Sequence, residues 1–150
     1  MIMVSACLMG KKCRYDGGAK PCAEIMNRLE GEELLLVCPE SDAGMTIPRK
    51  PCEIIGGTGE DVFAGKARVK NACGEDMTEL YIKGAMITLE KAKKYKPERI
   101  ILKSKSPSCG CGCIHDGGFN GGLIKGDGVT AALLKKNGFA VQTEKEDRHG

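Results

Sequence analysis

The sequence predicts an α/β protein built on a mostly parallel sheet with flanking helices. Two observations carry this expectation: short apolar runs of strand length recur along the chain, and segments of helical periodicity separate them. Strands that alternate with helices run parallel and are joined by right-handed crossovers, because each helix returns the chain to the same end of the sheet.

Taken in order, Ile2–Ala6 is a buried first strand, and Cys7 falls at its carboxyl end. Pro21 suits the first turn of a helix to about Leu29, with Ile25, Met26 and Leu29 on one face, before Gly31 interrupts it. Leu34–Val37 is a second buried strand. Pro39 cannot donate to a ladder and ends it, so Cys38 also lies at a strand's carboxyl end. From Ser41 to Gly74 glycine, proline and charge dominate, which predicts a long loop or a small excursion, with Thr46–Pro51 extended. Asp76 followed by Glu79 resembles a capping box, opening a helix striped by Met77, Leu80, Tyr81, Gly84, Leu89 and Ala92 and closed by Pro97. Arg99–Lys103 is a third strand, and Cys109 lies in the loop beyond it. Asp127 is the expected N-cap of a helix through Val129, Leu133 and Leu134 that exits at Asn137-Gly138, and Phe139–Gln142 closes the sheet. These elements make one domain over residues 1–143, followed by a polar tail, 144–150, expected to fray.

Composition narrows the function classes. A chain of 150 residues buries about two thirds of its unfolded surface without staples. With 41% apolar residues, 29% charged and mean hydropathy −0.23, it reads as globular, and no apolar run reaches the ~18 residues of a membrane span. The net charge of +3, from 23 basic and 20 acidic residues spread along the chain, leaves no footprint for duplex nucleic acid. The odd count of 9 cysteines, with no basic leader or cleavage site around Met1–Leu8, argues against a disulfide framework and for a cytoplasmic location.

In open α/β sheets ligands bind beyond the carboxyl ends of the strands. Cys7, Cys38 and Cys109 come from separate parts of the sequence, and only the sheet brings their strand ends together. Such a set suits a metal site with one open coordination position, either zinc with a water or an iron–sulfur cluster with one iron lacking a protein ligand. Taken singly, each could instead be a small buried hydrophobe. The run Cys109-Gly110-Cys111-Gly112-Cys113 is too tightly spaced for a zinc knuckle.

The stretches Val4–Gly10, Cys13–Gly17, Val37–Glu40, Pro48-Arg49, Ser106–Gly110 and Gly128–Leu134 together resemble the thiouracil desulfidase family, formerly a domain of unknown function. The resemblance covers nearly the whole chain, in order. It implies a Rossmann-like fold, a 4Fe-4S cluster held by Cys7, Cys38 and Cys109, and removal of sulfur from a thiolated pyrimidine such as thiouracil, yielding the oxo-base and sulfide. It also implies Glu40 as a general acid–base and Ser106 as a hydrogen-bonding group for substrate. A carboxylate two residues from a ligand is suitably placed for that proton transfer, although glutamates after Cys-Pro are commonly solvated and serines near proline commonly shape turns.

Other residues have two readings each. Cys13 could replace one of the three ligands, and Cys111 or Cys113 could supply a fourth. Arg14 and Asp16 could line a pocket or pin their loop to each other, and Arg49 could hold substrate or lock the long loop to a carbonyl. His115 and His149 are each possible metal ligands. The expected partner is a small thiolated nucleobase or nucleoside, with no membrane; oligomeric state is open. The alternative to an enzyme is a non-catalytic cysteine-rich module that binds or delivers metal or sulfur. A thiol–disulfide redox protein is disfavoured, because no Cys-x-x-Cys follows the first strand.

Overall fold

Side chains of the first strand, β1 (Ile2–Ser5), alternate between two apolar layers, as the two-residue period of a strand requires. Ile2 and Val4 face one layer with Ile101, Leu8, Ile25 and Leu29; Met3 faces the other with Ile100, Leu102, Leu89 and Leu134. Burying side chains of this size is worth about 1.5–3 kcal/mol each, and helices on both faces keep every strand of the central sheet out of water.

The computed structural model describes residues 1–145. After β1 comes a 3-10 turn, Ala6–Met9, then helix α1 (Ala23–Arg28), β2 (Leu34–Val37) and a one-turn helix α2 (Pro39–Asp42). An excursion follows, made of β3 (Cys52–Ile55), α3 (Gly59–Phe63) and β4 (Arg68–Asn71). The long helix α4 (Thr78–Tyr95) leads to β5 (Arg99–Leu102), the short pair β6 (Cys113–His115) and β7 (Leu123–Lys125), helix α5 (Val129–Lys136) and β8 (Val141–Thr143).

The central sheet runs β2-β1-β5-β8, all parallel, with Val4 beside both Leu36 and Ile101. The chain leaves β1 outward to β2 and later returns to β5 on the other side of β1. This makes the carboxyl ends of β1 and β5 the topological switch point, where such sheets hold ligands. The fold class is therefore the expected one. Among the described residues no helix is long and apolar enough to cross a membrane.

Several local expectations change. The segment from Ser41 to Gly74 is the small excursion, not an unstructured loop: β3 and β4 pair antiparallel, and a reciprocal capping box between Thr58 and Asp61 starts α3. Asp76 does not head a capping box with Glu79; its Oδ1 accepts the Thr78 N–H at 2.9 Å and its Oδ2 takes Arg68 Nε at 2.8 Å. Gly128, not Asp127, is the N-cap of α5, because the Asp127 carboxylate is occupied by the Gly112 N–H at 2.8 Å. Met26 and Leu80 turn toward solvent. The expected tail begins pinned: Glu144 accepts the Ser104 N–H through Oε1 at 2.6 Å, tying β8 to the loop after β5. Residues 146–150, including His149, lie outside the described residues.

Candidate active site

Three strand ends open onto one cavity of about 420 Å³. Cys7 reaches it from the turn after β1, Cys38 and Glu40 from the end of β2 and the first turn of α2, and Ser106 and Cys109 from the loop after β5. All five residues expected from the sequence thus border the same space. Cys13 and Cys52 border it as well, whereas Cys111 and Cys113 do not: Cys111 is buried with its thiol donating to the Val141 carbonyl at 3.4 Å, and Cys113 lies on β6. All nine cysteines are free thiols.

Local packing sets each loop. Pro39 at the start of α2 packs against Gly84 of α4 so closely that a Cβ at Gly84 would stand 2.3 Å from the Pro39 carbonyl oxygen. Glycine is therefore required there to let α2, and Glu40 with it, approach α4. Ser106 Oγ accepts the N–H groups of Ser108 and Cys109, both at 3.0 Å, so this serine does shape its turn. The buried Ser108 hydroxyl is 2.7 Å from that of Thr130, which anchors the loop to α5. Ser5 Oγ accepts the Lys103 N–H at 2.9 Å, joining the ends of β1 and β5.

The carbonyl oxygen of Cys13 ties the thiol-bearing loops together. It accepts from the Cys38 thiol at 3.7 Å, from Ser41 Oγ at 3.5 Å and from Arg49 Nη2 at 3.1 Å. The same Nη2 donates to Glu40 Oε2 at 3.1 Å, while Nη1 donates to the Thr46 carbonyl at 3.2 Å. Arg49 therefore locks its loop to carbonyls, as one of its two readings held, and also pairs with Glu40, which the sequence did not disclose. Arg14 pairs with Asp16 at 3.4 Å and lies over the Tyr15 ring, so the loop-pinning reading of that pair describes its contact.

The titratable groups disturb one another. Burial holds the Glu40 carboxyl above its ordinary range, and the Arg49 charge opposes that rise without cancelling it. Contact with Cys38 favours the Cys13 thiolate, but contact with Cys7 together with burial outweighs it, and Cys13 is pushed up to about 11. Cys38 is raised by contact with Cys13 and then by burial; Cys109 is raised well above the thiol range by burial and by Glu40. Such a crowd of acidic groups is relieved by a cation that takes up thiolates. Among the described residues no three His, Cys, Asp or Glu side chains converge on a point where one ion could sit. Thiols spread around a cavity instead suit a multi-iron cluster, whose cysteines bind separate irons.

A family model described as 2-thiouracil desulfurase matches residues 2–146. The chain belongs to this family. Among its members' relatives, protein YbbK of Bacillus subtilis (strain 168) is 49% identical over 146 residues, covering 97% of each chain. A solved structure described as the 4Fe-4S-dependent thiouracil desulfidase TudS is similar with a TM-score of 0.84 and 36% identity, covering 97% of this chain and 91% of that one. Membership of the 2-thiouracil desulfurase family agrees with the resemblance read from the sequence motifs, and the likeness to TudS agrees with the expected fold.

Proposed function

We propose that this protein is a 4Fe-4S-dependent desulfidase that converts a thiolated pyrimidine such as thiouracil into the oxo-base and sulfide. The observation that carries the reading is the meeting of Cys7, Cys38, Cys109, Glu40 and Ser106, from three strand ends, around one cavity. Family membership and the activity named for TudS support it. We assign Cys7, Cys38 and Cys109 as the cluster ligands. When bound on three thiolates, the cluster has one iron without a protein ligand and supplies a thiophilic Lewis acid for a thiocarbonyl sulfur.

The chain's own groups handle the water and its proton. Arg49 tethers Glu40 Oε2, so Oε1 faces the task of taking a proton from the water that attacks the sulfur-bearing ring carbon. A carboxyl held above its ordinary range both accepts that proton and returns it near neutral pH. The new C–O bond forms, the C–S bond breaks, and sulfur leaves with the returned proton as sulfide. Water supplies the oxygen, and no electrons change hands overall. Ser106 receives two backbone N–H groups on its oxygen, which leaves its hydroxyl proton to donate to substrate. The free thiols suit the reducing cytoplasm.

The test is sulfide and uracil release from 2-thiouracil and 4-thiouracil by protein reconstituted without oxygen. The wild type should release both products in equal amounts. Glu40→Gln should keep its iron while losing turnover by roughly 10²–10⁴-fold. Unchanged sulfide release in that variant removes Glu40 from the mechanism. A fully loaded wild type that releases no sulfide from any thiolated pyrimidine favours the binding or delivery module.

A further inference from the structure

The β6–β7 pair brings another kind of group to the cavity. His115, the last residue of β6, borders it, and among the described residues His115 Nδ1 is the buried side-chain nitrogen or oxygen left without a hydrogen-bond partner. Buried polar atoms almost always find a partner, because an unmade hydrogen bond forfeits the one water had supplied. Nothing in the acid–base and sulfur-binding groups already assigned uses this nitrogen.

The loop after His115 is held by a carboxylate from the excursion. Glu53 of β3, 8% exposed, accepts the N–H groups of Gly117 at 2.9 Å and Phe119 at 3.2 Å, both through Oε1. Phe119 adopts φ 56°, a left-handed conformation that bulky residues rarely take. Its side chain borders the cavity and stays 37% exposed. An unfavourable backbone conformation, fixed by a buried charge and carrying an aromatic ring to a cavity wall, is the form that binding surfaces take.

We infer that His115 and Phe119 form the wall that recognises the pyrimidine ring. Phe119 stacks on the face of the base, His115 Nδ1 hydrogen-bonds a ring N–H or carbonyl oxygen at its edge, and Glu53 is the positioning residue that holds Phe119. This rests on the desulfidase reading and adds the substrate class: a planar cyclic thioamide with polar groups on its rim. An acyclic thioamide lacks the ring to stack. The edge of a pyrimidine carries both donors and acceptors, so either neutral tautomer of the imidazole meets a complement. Neither residue addresses the sulfur-bearing carbon, which separates their role from those of Glu40 and Ser106.

The test measures binding of uracil, the oxo product, to reconstituted holoprotein by equilibrium dialysis, which involves no turnover. With iron content equal to the wild type, His115→Phe should weaken uracil binding roughly tenfold. His115→Gln, which keeps a donor and an acceptor, should recover most of it. Phe119→Ala should also lose roughly tenfold, through stacking. In sulfide release the same variants should raise KM more than they lower kcat. Wild-type uracil affinity in His115→Phe at full iron content overturns the inference while leaving the desulfidase reading intact. A wild type that neither binds uracil nor releases sulfide from thiouracil overturns both.

Discussion

The guanidinium of Arg49 reaches two groups with one nitrogen: Nη2 lies 3.1 Å from Glu40 Oε2 and 3.1 Å from the carbonyl oxygen of Cys13. The two side chains are shielded, 6% exposed for Arg49 and 18% for Glu40. The pair therefore sits where charge is costly to leave alone, and it links the Cys13 loop to the segment carrying Cys38.

Removing Arg49 should accordingly cost both stability and activity. Arg49→Ala leaves a buried carboxylate without its counter-charge, for which a loss of about 3 kcal/mol in a urea melt is expected. Arg49→Lys keeps the charge but not the fork that reaches Glu40, Cys13 and Thr46, and should recover only part of it. A wild-type melt for Arg49→Ala would show that the pair contributes nothing.

Gly84 provides a contest of known sign. Alanine is better than glycine in a helix interior by roughly 1 kcal/mol. Its Cβ, however, would stand 2.3 Å from the Pro39 carbonyl oxygen, which is backbone and yields only if α2 moves. Overpacking of that severity costs about 3 kcal/mol, so Gly84→Ala should lose about 2 kcal/mol net in denaturant unfolding. Because α2 carries Glu40, sulfide release should fall as well. A more stable variant would show that α2 is free to shift.

The cysteines in the glycine-rich run should be dispensable. Neither Cys111 nor Cys113 borders the cavity, and the Cys111 thiol is turned to the Val141 carbonyl. Iron per chain after reconstitution should be the same in Cys111→Ala and Cys113→Ala as in the wild type. Loss of iron in either would place a ligand where the geometry does not.

Asp76 supplies a pH signature. Its carboxyl is held below the usual carboxylate range, first by Arg68 and then by Thr78. A carboxyl depressed in the folded state adds stability above its unfolded pKa and loses it as pH falls through the folded value. The group is exposed, so the effect is set by the cap it makes for α4, about 1 kcal/mol. The stability gap between wild type and Asp76→Ala should be full at pH 7 and shrink steadily below about pH 4, where the unfolded carboxylate titrates. A gap independent of pH would assign the loss to something other than charge.

The central sheet was legible because its strands are apolar runs buried on both faces, as in Ile2–Ser5 and Leu34–Val37. The thiols followed from it, since a parallel sheet gathers its strand ends. The excursion and the β6–β7 pair were not legible. In β3 and β4 the buried positions include Glu53 and Asn71, so their pattern lacks the alternation of a half-buried strand. The strands β6 and β7 are three residues each within a glycine-rich stretch. The Arg49–Glu40 pair and the approach of Glu53 to Phe119 are also invisible in sequence: each joins residues that only the folded chain makes neighbours. Asp127 carried a cap signal, but Gly112 claims its carboxylate, a competition no local pattern reveals.

The central claim is that Cys7, Cys38 and Cys109 hold a 4Fe-4S cluster at this cavity. Its most direct test is iron and acid-labile sulfide per chain after reconstitution without oxygen, in the wild type and in Cys7→Ala, Cys38→Ala, Cys109→Ala and Cys13→Ala. About four irons and four sulfides in the wild type, lost in the first three variants and kept in Cys13→Ala, is the predicted result. A wild type that takes up zinc or no iron, or a Cys13→Ala variant that loses its iron while one of the other three keeps it, would contradict the assignment.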